Sequence, residues 1–223
     1  MKVITMRFSL ALLLLSAALS AYSDNGSVDI QLAASSAVTE LQTDWAKAQY
    51  EADQKQQERD FNSLLNRINS SVSAEPGNPD LYVWRGIIKA SYAGVKGGLG
   101  ALSLVKEAKV DLEKAIDLDG GSFQAAARTS LGSLYFQVPS WPIGFGNDKK
   151  AEAYLLEGLA MAPDDIDSNY FYALFLLDQR RGDEARQYLE RAYTAPKRLG
   201  RGYADQERQR EILELITEQQ KQK

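Results

Sequence analysis

Histidine and cysteine are both missing from the 223 residues of this chain. Without histidine, the commonest general base and the commonest zinc ligand are gone. Without cysteine there are no disulfides, no thiol chemistry and no lipid anchor on a cysteine behind a signal. Positive charge is short as well: 26 lysines and arginines stand against 30 aspartates and glutamates, a net charge of −4. Phosphate backbones need a basic face, so no nucleic-acid partner is expected. No nucleophile motif occurs, and these absences together argue against an enzyme. Neither a cofactor nor a metal is expected.

The one long apolar run, Phe8 to Leu19, follows Lys2 and Arg7 and precedes the small residues Ser20, Ala21 and Ser23. This is the layout of a secretory signal peptide over residues 1–23, with cleavage between Ser20 and Asp24. The alternative is an uncleaved anchor, but the run is short of the roughly 20 residues that span a bilayer. The processed chain is expected to be periplasmic, not a lipoprotein, and without a membrane span. Losing Lys2 and Arg7 leaves 24 basic residues against 30 acidic ones, so the net charge becomes −6. The remaining length suffices for one domain with its own core. Residues 24–32 are expected to be a flexible lead, and 218–223 a solvated tail.

Three segments look alike, and each reads as two amphipathic helices. They are "YVWRGIIKA" with "AKVDLEKAIDLDG", "RTSLGSLYF" with "AEAYLLEGLAMAP", and "NYFYALFLL" with "ARQYLERAYTAP". The second helices share one spacing: Ala108, Leu112, Ala115; Ala151, Leu155, Gly158; Ala185, Leu189, Ala192. The first helices carry a small residue at an equivalent place: Gly86, Gly132, Ala173. Small residues at i and i+7 around a large one at i+4 make one helical stripe, and a closely approaching helix must face it.

This pattern resembles the tetratricopeptide repeat (TPR), a helix–turn–helix unit of about 34 residues. Pro163 falls where that family ends its second helix. The resemblance implies an all-α fold, a stack of antiparallel helix pairs wound as a right-handed α-superhelix. The expected domain is 33–217: a degenerate repeat over 34–78, repeats over 79–120, 121–164 and 165–198, and a capping helix over 203–218. The degenerate repeat shows Leu64, Ile68 and Pro76 near the expected places, and the cap has an apolar stripe of Ile212, Leu215 and Ile216. Terminal repeats are often atypical because one face meets water.

Two loop insertions break the repeat. Ala173 to Ala185 spans 12 residues, but Gly86 to Ala108 spans 22 and Gly132 to Ala151 spans 19. The first insertion lies in "YAGVKGGLGALS", read as a flexible elbow or a helix broken at Gly94, Gly97, Gly98 and Gly100. "GVKGGLG" lacks the spacing of a phosphate-binding loop and no strand precedes it. The second insertion is "QVPSWPIGF". Pro139 and Pro142 exclude a helix there, Gly144 and Gly146 let the chain turn back, and Asn147 or Asp148 caps the restart. Both insertions occupy the turn within a helix pair, so both belong on one edge of the stack. Two readings of the second stand side by side. Trp141, Ile143 and Phe145 fold over the repeat and seal its core, or Tyr135, Phe136, Val138, Pro139, Trp141, Pro142, Ile143 and Phe145 line an exposed apolar surface that binds a partner.

Asp164, Asp165 and Asp167 offer oxygens to calcium, yet they precede a helix, where capping and the dipole favour them. Arg85 and Arg128, each on a first helix, either meet a ligand carboxylate or bridge to a neighbouring helix.

Residues 75 to 196, above all "SLGSLYFQVPSWPIGFGNDKKAEAYLLEGLAMAPDD", are similar to the TPR proteins associated with tripartite ATP-independent periplasmic (TRAP) transporters. The resemblance implies a periplasmic, all-helical protein that binds other proteins. It also implies a possible oligomer, since some of that family form trimers, and a small apolar or organic-acid ligand passed to a solute-binding protein. Two functions are therefore carried forward. One is a scaffold for an envelope protein or peptide, with Trp141 and Phe145 as anchors. The other is a transporter-associated accessory that binds a small apolar or carboxylate ligand.

Overall fold

A computed structural model describes residues 25–221, with side chains from residue 38. The signal-peptide reading of residues 1–23 lies outside the described residues. Contacts divide the chain into Met1–Ser35 and Ser36–Lys223. The described part of the first unit is the start of α1. Residues 25–32, expected as a flexible lead, are helical in backbone from Asn25.

Among the described residues the second unit is all helix. It holds the rest of α1 (Asn25–Tyr50), α2 (Gln54–Ala74), α3 (Pro79–Lys96), α4 (Gly98–Leu118), α5 (Gln124–Gln137), α6 (Asp148–Met161), α7 (Ile166–Asp178), α8 (Gly182–Thr194) and α9 (Gly202–Lys221). Short polar side chains start several of them. The Asp53, Asn78, Asn147 and Asp165 side chains accept the backbone N–H of Gln56, Asp80, Lys150 and Ser168, and so satisfy donors that no helical carbonyl reaches. Pro79 opens α3, where its missing N–H costs nothing.

The helices pack as α3 on α4, α5 on α6 and α7 on α8, with α4 on α5 and α6 on α7 joining the pairs. The fold is a TPR-like stack of antiparallel helix pairs. The small-residue stripe makes the close contacts. Ala108, Leu112, Ala115, Ala151, Leu155, Ala173, Ala185, Leu189 and Ala192 are all fully buried. A β-carbon on Gly86 would stand 2.7 Å from Leu112 Cγ, and one on Gly132 2.7 Å from Leu155 Cγ and 2.9 Å from Leu155 N. Gly158 lies as close to Thr129, where a β-carbon would meet Oγ1 at 2.4 Å. Pro163, exposed behind α6, accepts a hydrogen bond from Asn169 Nδ2 at 2.7 Å. In the degenerate pair, Phe61, Leu64 and Ile68 form a core with Trp45 and Trp84.

One expected loop insertion is not a loop. Residues 93–103 lengthen α3 and α4 to 18 and 21 residues, against 13 each for α7 and α8. The reason is apolar: Val95, Leu102, Leu104 and Val105 pack against the core, so extra helical turns bury surface. The break falls at Gly97 and Gly98, whose φ angles of 63° and 58° suit glycine. Gly94 and Gly100 remain helical. The second insertion is a true loop, and α9 continues to Lys221, into the expected tail.

Candidate functional site

The loop from Val138 to Asn147 between α5 and α6 is closed on itself by backbone hydrogen bonds. Asn147 N–H donates to the Tyr135 carbonyl at 2.7 Å, and Gly146 N–H to Pro139 O at 3.0 Å. Ile143 and Gly144 both donate to Ser140 O at 3.2 Å, which forms the turn. Ser140 and Gly146 make an isolated parallel β-bridge. Only glycine allows the two legs to meet: a β-carbon on Gly146 would lie 2.0 Å from Val138 O, and one on Gly144 2.4 Å from Pro139 O.

This geometry divides the residues of the sequence. Tyr135 and Val138 are buried, and Phe136 and Phe145 are partly buried against the same core. Tyr135 stacks on Tyr154 with centroids 5.7 Å apart and meets Phe145 edge-on at 5.5 Å, while Phe136 meets Phe175 at 5.8 Å. Lys109 Nζ lies 5.9 Å from the Phe145 ring and Lys150 Nζ 5.4 Å from the Tyr135 ring. Tyr135, Phe136, Val138 and Phe145 are the root of the loop, not its open surface. Its tip, Pro139 to Ile143, is exposed, with Trp141 at 86 % and Ile143 at 65 %. The sealing reading is met by Phe145 but not by Trp141 and Ile143, which are exposed; Tyr135, Phe136, Val138 and Phe145, expected on the open surface, pack inward, and only Pro139, Trp141, Pro142 and Ile143 remain exposed.

The two arginines meet carboxylates of neighbouring helices. Arg85 on α3 makes a bidentate pair with Asp111 on α4, at 2.5 and 3.0 Å, and Lys89 joins at 2.8 Å. Arg128 on α5 pairs with Glu157 on α6 at 3.3 Å and takes Gln124 Oε1 at 2.7 Å. Bidentate guanidinium–carboxylate pairing is geometrically specific, and it uses the donor fork that a ligand carboxylate would need.

The sequence did not reveal how the end of the chain is used. Residues 195–212 cross the face made by the first helices α1, α3 and α7. Arg198 pairs with Asp165, Asp167 and Asp205 at 3.1, 2.7 and 2.5 Å. The Arg201 guanidinium lies 6.0 Å from the Trp45 ring and 5.6 Å from the Trp84 ring. Arg208 meets Asp167 at 3.0 Å, also pairs with Glu211, and stacks 4.3 Å over Tyr170. Ala204 joins the Trp45 core and Ile212 the core of the later repeats. Burial opposes the Asp167 charge, but Arg198, Arg208 and Arg201 outweigh it and hold the carboxyl well below its usual range. Asp165 caps α7 as expected. Asp167 is the centre of an arginine cluster. A signal did exist, since Arg198, Arg201, Asp205 and Arg208 recur at helical spacing.

Among the described residues, no helix is long and apolar enough to cross a membrane, and no cluster of acidic side chains is arranged to hold a metal.

No protein-family model matches the chain, and no curated protein matches it. Among solved structures, a similar one is the crystal structure of MamA, 20 % identical, covering 76 % of this chain and 92 % of that one with a TM-score of 0.43.

Proposed function

We propose that this chain is an exported protein-interaction scaffold of the bacterial cell envelope, periplasmic once residues 1–23 are removed, and that it works by binding rather than catalysis. The observation that carries the reading is the Pro139–Ile143 tip. A tryptophan 86 % exposed is held out on a loop closed by backbone hydrogen bonds. Covering a side chain of that kind yields about 1.5–3 kcal/mol, and a rigid presentation loses little of this to ordering. The helix stack behind it offers further surface to protein partners. The similarity of residues 75–196 to transporter-associated proteins makes a TRAP solute-binding protein a partner worth testing.

The test is capture from an envelope extract by the immobilised processed chain, run beside Trp141→Ala. The tip makes no core contact, so the variant keeps its helical circular dichroism and its stability within about 0.5 kcal/mol. Loss of captured envelope material by the folded variant is the expected result. Equal capture by both proteins refutes docking through the tip.

A further inference from the structure

The turns that end α3 and α4 share one backbone conformation but not one residue type. At the end of α3, Gly97 turns the chain with φ 63° and ψ 179°. At the end of α4 the same turn is made by Asp119, with φ 52° and ψ 179°. A glycine of positive φ follows each, Gly98 at 58° and Gly120 at 69°. Glycine adopts this conformation freely, whereas a residue with a β-carbon is strained in it. Asp119–Gly120 is also the one Asp–Gly pair of the sequence. Both residues are exposed. The Asp119 N–H donates to Ile116 O at 3.2 Å. Among the described residues, no acceptor takes the Gly120 N–H, and no hydrogen bond or ion pair holds the Asp119 carboxylate. Just beyond, the chain is pinned again. The Phe123 N–H donates to Asp80 Oδ1 at 3.2 Å, and a β-carbon on Gly121 would lie 2.7 Å from Pro79 Cγ.

We propose that Asp119–Gly120 is a self-modification site, where the main chain converts to isoaspartate through a succinimide ring. Gly120 N attacks Cγ of the protonated Asp119 carboxyl. The N–Cγ bond forms, the Cγ–OH bond breaks, and the hydroxyl leaves as water with the proton of the Gly120 N–H. Water then adds to one of the two ring carbonyls. Addition at Cγ breaks the new bond and restores aspartate. Addition at the Asp119 main-chain carbonyl breaks its bond to Gly120 N, so the chain runs on through Cγ and a carboxylate is left on Cα. No electron changes hands, and water is the only co-reactant. The turn suits each step. Gly120 has no side chain to crowd its nitrogen, its N–H gives up no hydrogen bond, and the unheld carboxyl is free to rotate towards it. Strain in Asp119 raises the starting state, and the longer main chain of the product relaxes it. The extra atom falls between Leu118 and Gly121, and the contacts of Gly121 and Phe123 confine the change to the turn. The inference is independent of docking through the Pro139–Ile143 tip.

The test keeps the processed chain warm at neutral pH in heavy-oxygen water, beside a free peptide of residues 115–128, with circular dichroism confirming that the chain stays folded. Samples are digested and read by chromatography and mass spectrometry. The expected product is a segment of unchanged sequence that elutes apart and carries heavy oxygen at position 119. It resists the protease that cuts before aspartate at Asp119 and is still cut at Asp117, which lies within α4. An exposed turn opens at little cost, so conversion in the folded chain should run within about tenfold of that in the free peptide. Asp119→Gly suits the backbone conformation, keeps the fold and yields no converted segment. A folded chain with neither isoaspartate nor heavy oxygen at Asp119, while the free peptide converts, overturns the inference. Conversion that appears only after unfolding in urea, or that is equal at Asp117, also overturns it.

Discussion

Asp167→Asn isolates what the C-terminal segment contributes. The substitution keeps the size of the side chain and removes the charge that three arginines share: Arg198 at 2.7 Å, Arg208 at 3.0 Å and Arg201 at 3.6 Å. Removing one partner of a fully buried pair costs about 3–5 kcal/mol, because the opposite charge stays behind unpaired. Here the Asp167 side chain is 20 % exposed and Arg198 23 %, so water screens part of that. Arg198 also keeps Asp165 and Asp205, and Arg208 keeps Glu211. These reduce the expected loss to about 2–3 kcal/mol. For a domain of this size, that lowers Tm by about 4–12 °C. Urea unfolding followed by circular dichroism gives the free energy. A double-mutant cycle with Arg208→Met should show a coupling of about 1–2 kcal/mol. A loss below about 0.5 kcal/mol, or additive single variants, would refute the view that this cluster pins the segment in place.

The same carboxylate sets an acid limit. Because its pKa is depressed in the fold, its stabilisation is complete above the ordinary carboxylate range near pH 4, and is lost as pH falls through that range towards the depressed value. Urea midpoints of the native chain should therefore fall below about pH 5 more steeply than those of Asp167→Asn; parallel curves would contradict this. Two glycine substitutions should have opposite signs. Gly132→Ala forces Leu155 and the α6 backbone away and should cost about 1–3 kcal/mol. Gly94→Ala sits in α3 with nothing within 4 Å and should gain about 0.5–1 kcal/mol. Thermal melts of both variants decide the point, and a common sign would count against the helix approach described here.

The helix pairs were legible because their contacts repeat within one helix. Gly132 and the stripe Ala151, Leu155, Gly158 mark a close approach by spacing alone, and the structure puts them face to face. The first insertion was legible only as two alternatives, a flexible elbow or a broken helix, and the second is what forms, with the break at Gly97 and Gly98. Four glycines suggest a loop, yet tertiary burial of Leu102 and Val105 outweighs the weak helix propensity of Gly94 and Gly100. The 138–147 loop was legible as a non-helix from Pro139 and Pro142. Which of its apolar residues turn inward was not, because that depends on where Asn147 bonds back to Tyr135. The spacing of Arg198, Arg201, Asp205 and Arg208 marks a charged stripe, but the cluster joins residues 31 to 41 positions apart, and the stripe does not say which carboxylate it meets.

The two features missed or divided by the sequence bear on each other. In stacked repeats, the face lined by the first helices is the natural place for an extended partner. Here Arg198, Arg201 and Arg208 meet that face, and its aromatic side chains Trp45, Trp84 and Tyr170 already have cations over their rings. A partner peptide taking this route would have to displace several ion pairs at once. Among the described residues, the Pro139–Ile143 tip has no such occupant, and Trp141 and Ile143 are exposed. Binding there removes apolar surface from water and breaks nothing. The closed face and the open tip therefore argue for one direction of approach, end-on to the helix pairs rather than along their inner side.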